Sequence, residues 1–100
     1  VIQGGDVERG DGYGGPGFVI RSEITRIPFE RGTIGMASAG KDTEGSQFFI
    51  AHSAQPHLDG RYTAFGRVVQ GMEVVDAILE GDRVLRASVQ VRASRPEGGR

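Results

Sequence analysis

The stretch Ser46-Gln47-Phe48-Phe49-Ile50 is rich in strand formers and follows a loop of Gly40, Lys41, Asp42, Thr43, Glu44 and Gly45. Side chains alternate along a strand, so Gln47 and Phe49 share one face and Phe48 and Ile50 the other. The first face sets a hydrogen-bonding amide beside an aromatic ring. An unpaired amide in an apolar setting costs about 1–3 kcal/mol, which favours a wet concavity around Gln47. The alternative is a polar residue at a strand start with Phe49 in an ordinary core.

Other residues permit bond-breaking chemistry on paper. Ser46, His52, His57 and Asp59 could be combined into a hydrolase triad, or the histidines and Asp59 into a metal site. Ser46 lacks the G-x-S-x-G elbow, and the histidines lack the i, i+4 pairing of H-E-x-x-H; a triad can still arise without a local motif. Gly10, Gly12 and Gly15 satisfy G-x-G-x-x-G, but Pro16-Gly17 and the strand-like Phe18-Val19-Ile20 stand where a dinucleotide site needs a helix. Asp6, Glu8 and Asp11 miss the EF-hand spacing and its closing glutamate.

The elements that must position these residues belong to a small domain. One hundred residues suffice for one modest core, and 37% hydrophobic with 25% charged residues fits a globular protein. Seventeen glycines imply many turns and little helix. A formal charge of −1, with twelve basic residues scattered along the chain, offers no electrostatic case for nucleic acid. The absence of cysteine excludes disulfides and thiolate chemistry and leaves the compartment open. No apolar run is long enough for a membrane-spanning helix. The chain opens on Val1, inside what reads as a strand, so a segment upstream of it is expected.

In order, Val1 to Gln3 reads as the end of a strand, and 6–17 as a glycine-rich loop. Phe18 to Ile24 alternates weakly as a further strand. The stretch 25–32 is a connector, because Pro28 lacks a ladder donor and disfavours a helical Ile27. Strands follow at Ile34 to Ala39, Ser46 to Ile50 and Phe65 to Val69, with a turn-closed loop over 51–60 between the last two. Met36 suits gap-filling in a core. Met72, Val75 and Leu79 fall at i, i+3 and i+7, predicting a helix over 72–80 that Gly81 ends. A last strand lies within 83–92, with Val89 and Val91 on one face. Residues 93–100 read as a flexible tail or linker.

Three motifs then carry a resemblance over nearly the whole chain. Gly35-Met36-Ala37-Ser38-Ala39-Gly40, Gly45-Ser46-Gln47-Phe48-Phe49-Ile50 and Leu58-Asp59-Gly60-Arg61-Tyr62-Thr63-Ala64-Phe65-Gly66-Arg67-Val68 come in an order and spacing that resembles the cyclophilins, which are peptidyl-prolyl cis-trans isomerases. The resemblance implies a mainly β fold: a cyclophilin-like antiparallel β-barrel with a capping helix. Residues 1–92 would form the C-terminal part of that domain, N-terminally truncated and lacking its first strands and first helix.

The same resemblance implies the site. Gln3, Gln47 and Phe49 match catalytic positions, while Val1, Gly12, Ala37, Ser38, Ala39, His57, Leu58 and Tyr62 match substrate-binding ones. Phe49, Leu58 and Val1 would form the proline slot, and the backbone of 37–39 an edge for an extended peptide. Ser38 stands where relatives carry asparagine, His57 where many carry the tryptophan that binds cyclosporin, and Tyr62 where many carry histidine; cyclosporin is thus expected to bind weakly. The family's catalytic arginine is expected upstream of Val1, and no arginine here takes its role by motif. No metal or cofactor is implied; the partners implied are proline-containing peptides and unfolded proteins. Two readings rival an isomerase that assists folding: a peptide-binding cyclophilin-like module without isomerase activity, and a structural domain in which Gln47 and Phe49 are incidental.

Overall fold

The computed structural model describes residues 1–10, 12–40 and 42–91. Its regular elements are four short strands, β1 (Ile2–Gly4), β2 (Thr33–Met36), β3 (Phe48–Ile50) and β4 (Ala64–Arg67), a 3-10 turn at Pro56–Leu58 and one helix, α1 (Met72–Ala77). The strands form a single sheet in the order β1-β3-β2-β4, and every neighbouring pair is antiparallel.

The register sorts the side chains into two faces. Ile2, Ile50, Ile34 and Gly66 lie opposite one another in one row, and Gln3, Phe49 and Gly35 in the next. Successive rows point to opposite sides of the pleat. One face is therefore an isoleucine row joined by Phe48 and Met36, while the other carries Phe49. On β4 the pairing slips: Gly66 faces Ile34 but Ala64 faces Gly35, which leaves Phe65 as the extra residue of a bulge. Phe65 is exposed and Ala64 is buried with Phe49.

The core on the Phe49 side consists of Phe29, Phe49 and Ala64, with Ala37, Leu58 and Tyr62 packed against it. The Phe29 and Phe49 rings stack at 5.3 Å with an interplanar angle of 24°. Gly35 makes room for both: a Cβ there would meet Phe29 Cε1 at 2.6 Å and Phe49 Cζ at 2.9 Å. Phe29 belongs to the segment read from sequence as a connector, and three neighbours fix it there. Its N–H donates to Asp59 Oδ1 at 2.7 Å, its carbonyl accepts from the Gln55 N–H at 2.7 Å, and the buried Thr33 hydroxyl donates to the Pro28 carbonyl.

Three expectations are corrected. The stretch 18–24 forms no strand; Ile20 alone makes a bridge, to Glu44. Among the described residues 83–91 there is no strand either, and Val84, Leu85, Val89 and Val91 are exposed. Alternating valines become a strand only against a sheet edge, and none of the four strands pairs with them. The helix stops at Ala77, short of Gly81, because Ile78 is extended (ψ 136°) and the Leu79 N–H, needed to continue the ladder, donates to Asp82 Oδ2 at 2.9 Å. Leu79 is thereby exposed, and of the predicted apolar face Val75 is buried and Met72 half-buried. Arg31 ties the helix down, donating to both Asp76 carboxylate oxygens (3.0 and 2.7 Å) and to the His52 carbonyl (2.9 Å). The proposed tail at 93–100 lies outside the described residues.

The glycine-rich loop is organised by one carboxylate. Asp6 Oδ1 accepts from the N–H groups of Glu8 and Arg9, and Oδ2 from those of Gly12 and Gly14, all at 2.9–3.0 Å. These amides, that of Arg9 foremost, hold the Asp6 carboxyl well below the usual carboxylate range.

Two expected outcomes follow from this packing. Gly35→Ala forces the stacked rings apart and lowers the unfolding free energy by about 1–3 kcal/mol. Gly66→Ala is the control: its Cβ would make ordinary contact with Ile34 at 3.9 Å, and the change stays within about 0.5 kcal/mol in denaturant titration. For Asp6 the folded pKa is depressed, so its stabilisation is complete above the unfolded value of about 3.9 and is lost as pH falls below it. Denaturant midpoints measured from pH 7 to pH 3 should drop in the acid limb for the native chain and drop less steeply for Asp6→Asn.

Candidate active site

Two adjoining concavities open on the Phe49 side of the sheet. The smaller, about 170 Å³, is lined by Val1, Gln3, Ala37, Ser38, Phe49, Leu58 and Tyr62. Phe49, 5% exposed, is its floor. Tyr62 stands edge-on to that ring at 5.8 Å and 87°. Leu58 is delivered from the 3-10 turn, whose backbone is closed by the Leu58 N–H donating to the Gln55 carbonyl and the Tyr62 N–H to the Leu58 carbonyl. The walls are thus mainly apolar, and their one amide is Gln3, which β1 places directly opposite Phe49.

The larger groove, about 640 Å³, runs from Gln3 past Ala37 to Ala39 and is bounded by the glycine loop, by Phe18 and Val19, and by Thr43 to Gln47. Gln3, Ala37 and Ser38 line both concavities and form the ridge between them.

Gln3 and Gln47 are joined at this ridge. Gln3 Nε2 donates to Gln47 Oε1 at 2.7 Å, and Gln47 Nε2 donates to the carbonyls of Gly14 (2.6 Å) and Gly12 (3.1 Å). Both amide protons and the carbonyl oxygen of Gln47 are therefore engaged within the protein. Gln3 is the exposed member of the pair, with the rest of its amide open to solvent. The two glutamines are not equivalent: Gln47 is a strut between the glycine loop and Gln3, and Gln3 is the group that can meet a ligand. Gly5 lets the two strands approach this closely; its φ is +92°, and a Cβ there would lie 2.3 Å from the Ser46 carbonyl oxygen.

The backbone of 37–39 is partly engaged as well. The Ala37 N–H donates to the Gln47 carbonyl at 3.0 Å, and the Ala39 N–H donates to Thr43 Oγ1 at 2.8 Å.

Of the residues matched to the site by resemblance, seven surround the small cavity, and Gly12, Ala39 and Gln47 line only the large groove. His57 lines neither and is exposed on the 3-10 turn. Tyr13, Phe18, Val19 and Thr43 line the groove without having been singled out in the sequence. Tyr13 stands in the glycine-rich loop and Phe18 just after it, and no pattern there marks either as part of a groove wall. The hydrolase combination does not assemble: the Ser46 hydroxyl donates to the Gly5 carbonyl, and the Asp59 carboxylate is occupied by the Phe29 amide. Among the described residues no arginine lines either concavity. Among the described residues no helix is long and apolar enough to cross a membrane, and no three histidine, cysteine or acidic side chains are placed to hold a metal ion.

Comparison with known proteins agrees with this architecture. The family model for cyclophilin type peptidyl-prolyl cis-trans isomerases matches residues 1–95. The chain is 46% identical over 96 residues to a peptidyl-prolyl cis-trans isomerase of Synechococcus elongatus, covering 94% of this chain and 66% of that protein. It is 47% identical over 92 residues to peptidyl-prolyl cis-trans isomerase B of Bacillus subtilis, covering 90% and 64%. The chain thus spans about two thirds of the length of these relatives. Among solved structures, a cyclophilin type peptidyl-prolyl cis-trans isomerase of Cryptosporidium parvum superposes with a TM-score of 0.70 at 40% identity, over 76% of this chain and 51% of that one. A second structure of the same protein, in the presence of the dipeptide Ala-Pro, matches with a TM-score of 0.70 at 41% identity, over 76% and 52%. A mainly antiparallel sheet with little helix, an apolar cavity floored by Phe49, and sequence agreement along nearly the whole length place this chain in the cyclophilin-type peptidyl-prolyl cis-trans isomerase family.

Proposed function

We propose that the protein isomerises X-Pro bonds in peptides and unfolded proteins, assisting their folding, and that the small cavity receives the proline ring. The observation that carries this reading is the apolar cavity over Phe49 with a single exposed amide, Gln3, at its rim. That a structure of the related parasite isomerase was obtained in the presence of the dipeptide Ala-Pro supports this reading.

The reaction makes modest demands. Rotation about X-Pro crosses a barrier of about 18–20 kcal/mol because amide resonance is lost, and no covalent bond breaks. A catalyst has to grip the ring, hold the flanking backbone and favour the twisted amide over the planar one. Phe49, Leu58, Val1 and Tyr62 grip the ring. Gln3, held by Gln47, bonds the peptide backbone, and the main chain at Ser38, a residue that lines both concavities, supplies an extended-chain contact. Gly12 lets the chain pass close to the loop. His57, exposed on the 3-10 turn next to Leu58, is the residue that cyclosporin would touch. In this reading residues 1–92 are the C-terminal part of a larger barrel domain, and the arginine that the family brings to the proline nitrogen comes from a segment outside these hundred residues. The lack of any arginine along either cavity also suits the rival reading, a peptide-binding module without turnover; a proline peptide that binds but is not isomerised by the full protein would select it.

Two experiments test the assignment. Phe49 stacks on Phe29, so its truncation also costs about 3–5 kcal/mol of stability; Leu58→Ala and Gln3→Ala probe the site at less cost to the fold. Leu58→Ala should raise KM for a proline peptide about tenfold, and Gln3→Ala should lower kcat/KM about 5- to 30-fold, the loss of one charge-neutral hydrogen bond or slightly more. Unchanged kinetics in both folded variants would remove them from the site. For His57→Trp, cyclosporin titration should show tighter binding with peptide turnover little altered; equal inhibitor affinity would mean that position 57 does not meet the inhibitor.

A further inference from the structure

One fully buried ionisable side chain takes no part in the cavity chemistry. Glu44, 1% exposed, lies behind the larger groove and lines neither concavity. Its Oε1 accepts from the Ser22 hydroxyl and its Oε2 from the Thr63 hydroxyl, both at 3.0 Å. Each hydroxyl in turn accepts a main-chain N–H, Ser22 Oγ from Asp42 at 2.9 Å and Thr63 Oγ1 from Glu23 at 2.8 Å.

A backbone N–H can only donate, so each hydroxyl accepts there and keeps its one proton for Glu44, which accepts at both oxygens. A carboxylate does this; an amide of the same shape accepts at one position and presents N–H groups at the other. The Glu44 carbonyl adds a third hold, accepting from the Ile20 N–H at 2.7 Å.

What Glu44 holds is the outer wall of the groove. The segment 18–23 belongs to no strand, and Phe18, Val19 and Ile20 are exposed, so burial contributes little to its placement. Its ties are the Ile20 bridge, Ser22 to Asp42 and Glu44, and Glu23 to Thr63. Phe18 and Val19 from this segment line the groove together with Ala39, Thr43 and Gly45. We propose that Glu44 is a positioning residue that sets the outer wall of the larger groove and thereby the affinity for peptides long enough to run past Gln3 and Ser38 into it. The proposal rests on the isomerase reading for its functional consequence and on the hydrogen bonds alone for its structural one.

Glu44→Gln tests it with two readouts on the full protein. Trypsin should cut at Arg21 and Arg26, within and beside the released segment, at least tenfold faster, with cleavage elsewhere unchanged. KM for a proline decapeptide should rise about five- to tenfold with kcat within twofold, while KM for a proline tetrapeptide confined to the small cavity stays the same. Ser22→Ala, which removes one arm only, should show the same pattern at smaller size and serves if Glu44→Gln does not fold. Unchanged cleavage and equal KM for both lengths would overturn the proposal. So would uniform acceleration of all cleavage with equal loss on both peptides, which marks a general stabilising residue. If the unaltered protein turned over neither peptide, the isomerase reading would fail, and the local cleavage rate would still decide whether Glu44 holds the wall.

Discussion

Fold and site both hang on the stacking of Phe29 against Phe49 across Gly35. The interaction joins the connector before β2 to the middle of β3, and it requires the strand between them to carry no side chain at the crossing point. Aromatic pairs in this offset arrangement contribute about 0.5–1.5 kcal/mol beyond the area they bury. More important here is geometry: the stacked partner and the edge-on Tyr62 leave the Phe49 ring little freedom to turn, so the cavity above it has a fixed floor. A slot meant to grip a small rigid ring gains from such preorganisation, because little side-chain entropy remains to be lost on binding.

Polar order is organised along a separate line. Asp6 gathers the amides of the glycine loop, the loop's carbonyls receive the Gln47 amide, and Gln47 receives Gln3. Asp6 only accepts, while the loop peptides and Gln47 each accept on one side and donate on the other, so the exposed Gln3 amide inherits its orientation from a carboxylate that never touches the cavity. The charged start of the series lies on the surface loop, and the neutral end lies at the rim.

Much of this was legible in the chain. Alternation at 46–50 put Gln47 and Phe49 on one face, and the three motifs pointed to the family and to the residues around the small cavity. The misreadings have physical causes. Phe29 sits in a proline-containing connector without periodicity, and its burial depends on Asp59 and Gln55, which lie 30 and 26 residues away. The helix was drawn too long because spacing alone cannot reveal that the Asp82 carboxylate captures the Leu79 amide. The strands expected at 18–24 and 83–92 have suitable residues but, among the described residues, no sheet edge to complete them, and strand propensity is realised only in the presence of a neighbour. Nothing in the loop sequence marks Glu44 as buried, because its two hydroxyl partners, Ser22 and Thr63, come from distant segments.

The bulge at Phe65 bears on the cavity more than its place in the sheet suggests. Pairing runs from Gly66 opposite Ile34 to Ala64 opposite Gly35, so the strand changes parity by one residue as it passes Phe65. Residues before the slip and residues after it obey opposite odd-even rules. Without it Ala64 would join the isoleucine side, and Tyr62, two positions earlier, would be carried with it, away from the Phe49 ring. The aromatic rim of the cavity therefore depends on a phase shift in the chain as well as on residue type, and strict alternation carried back from Arg67 would assign Ala64 and Tyr62 to the wrong face.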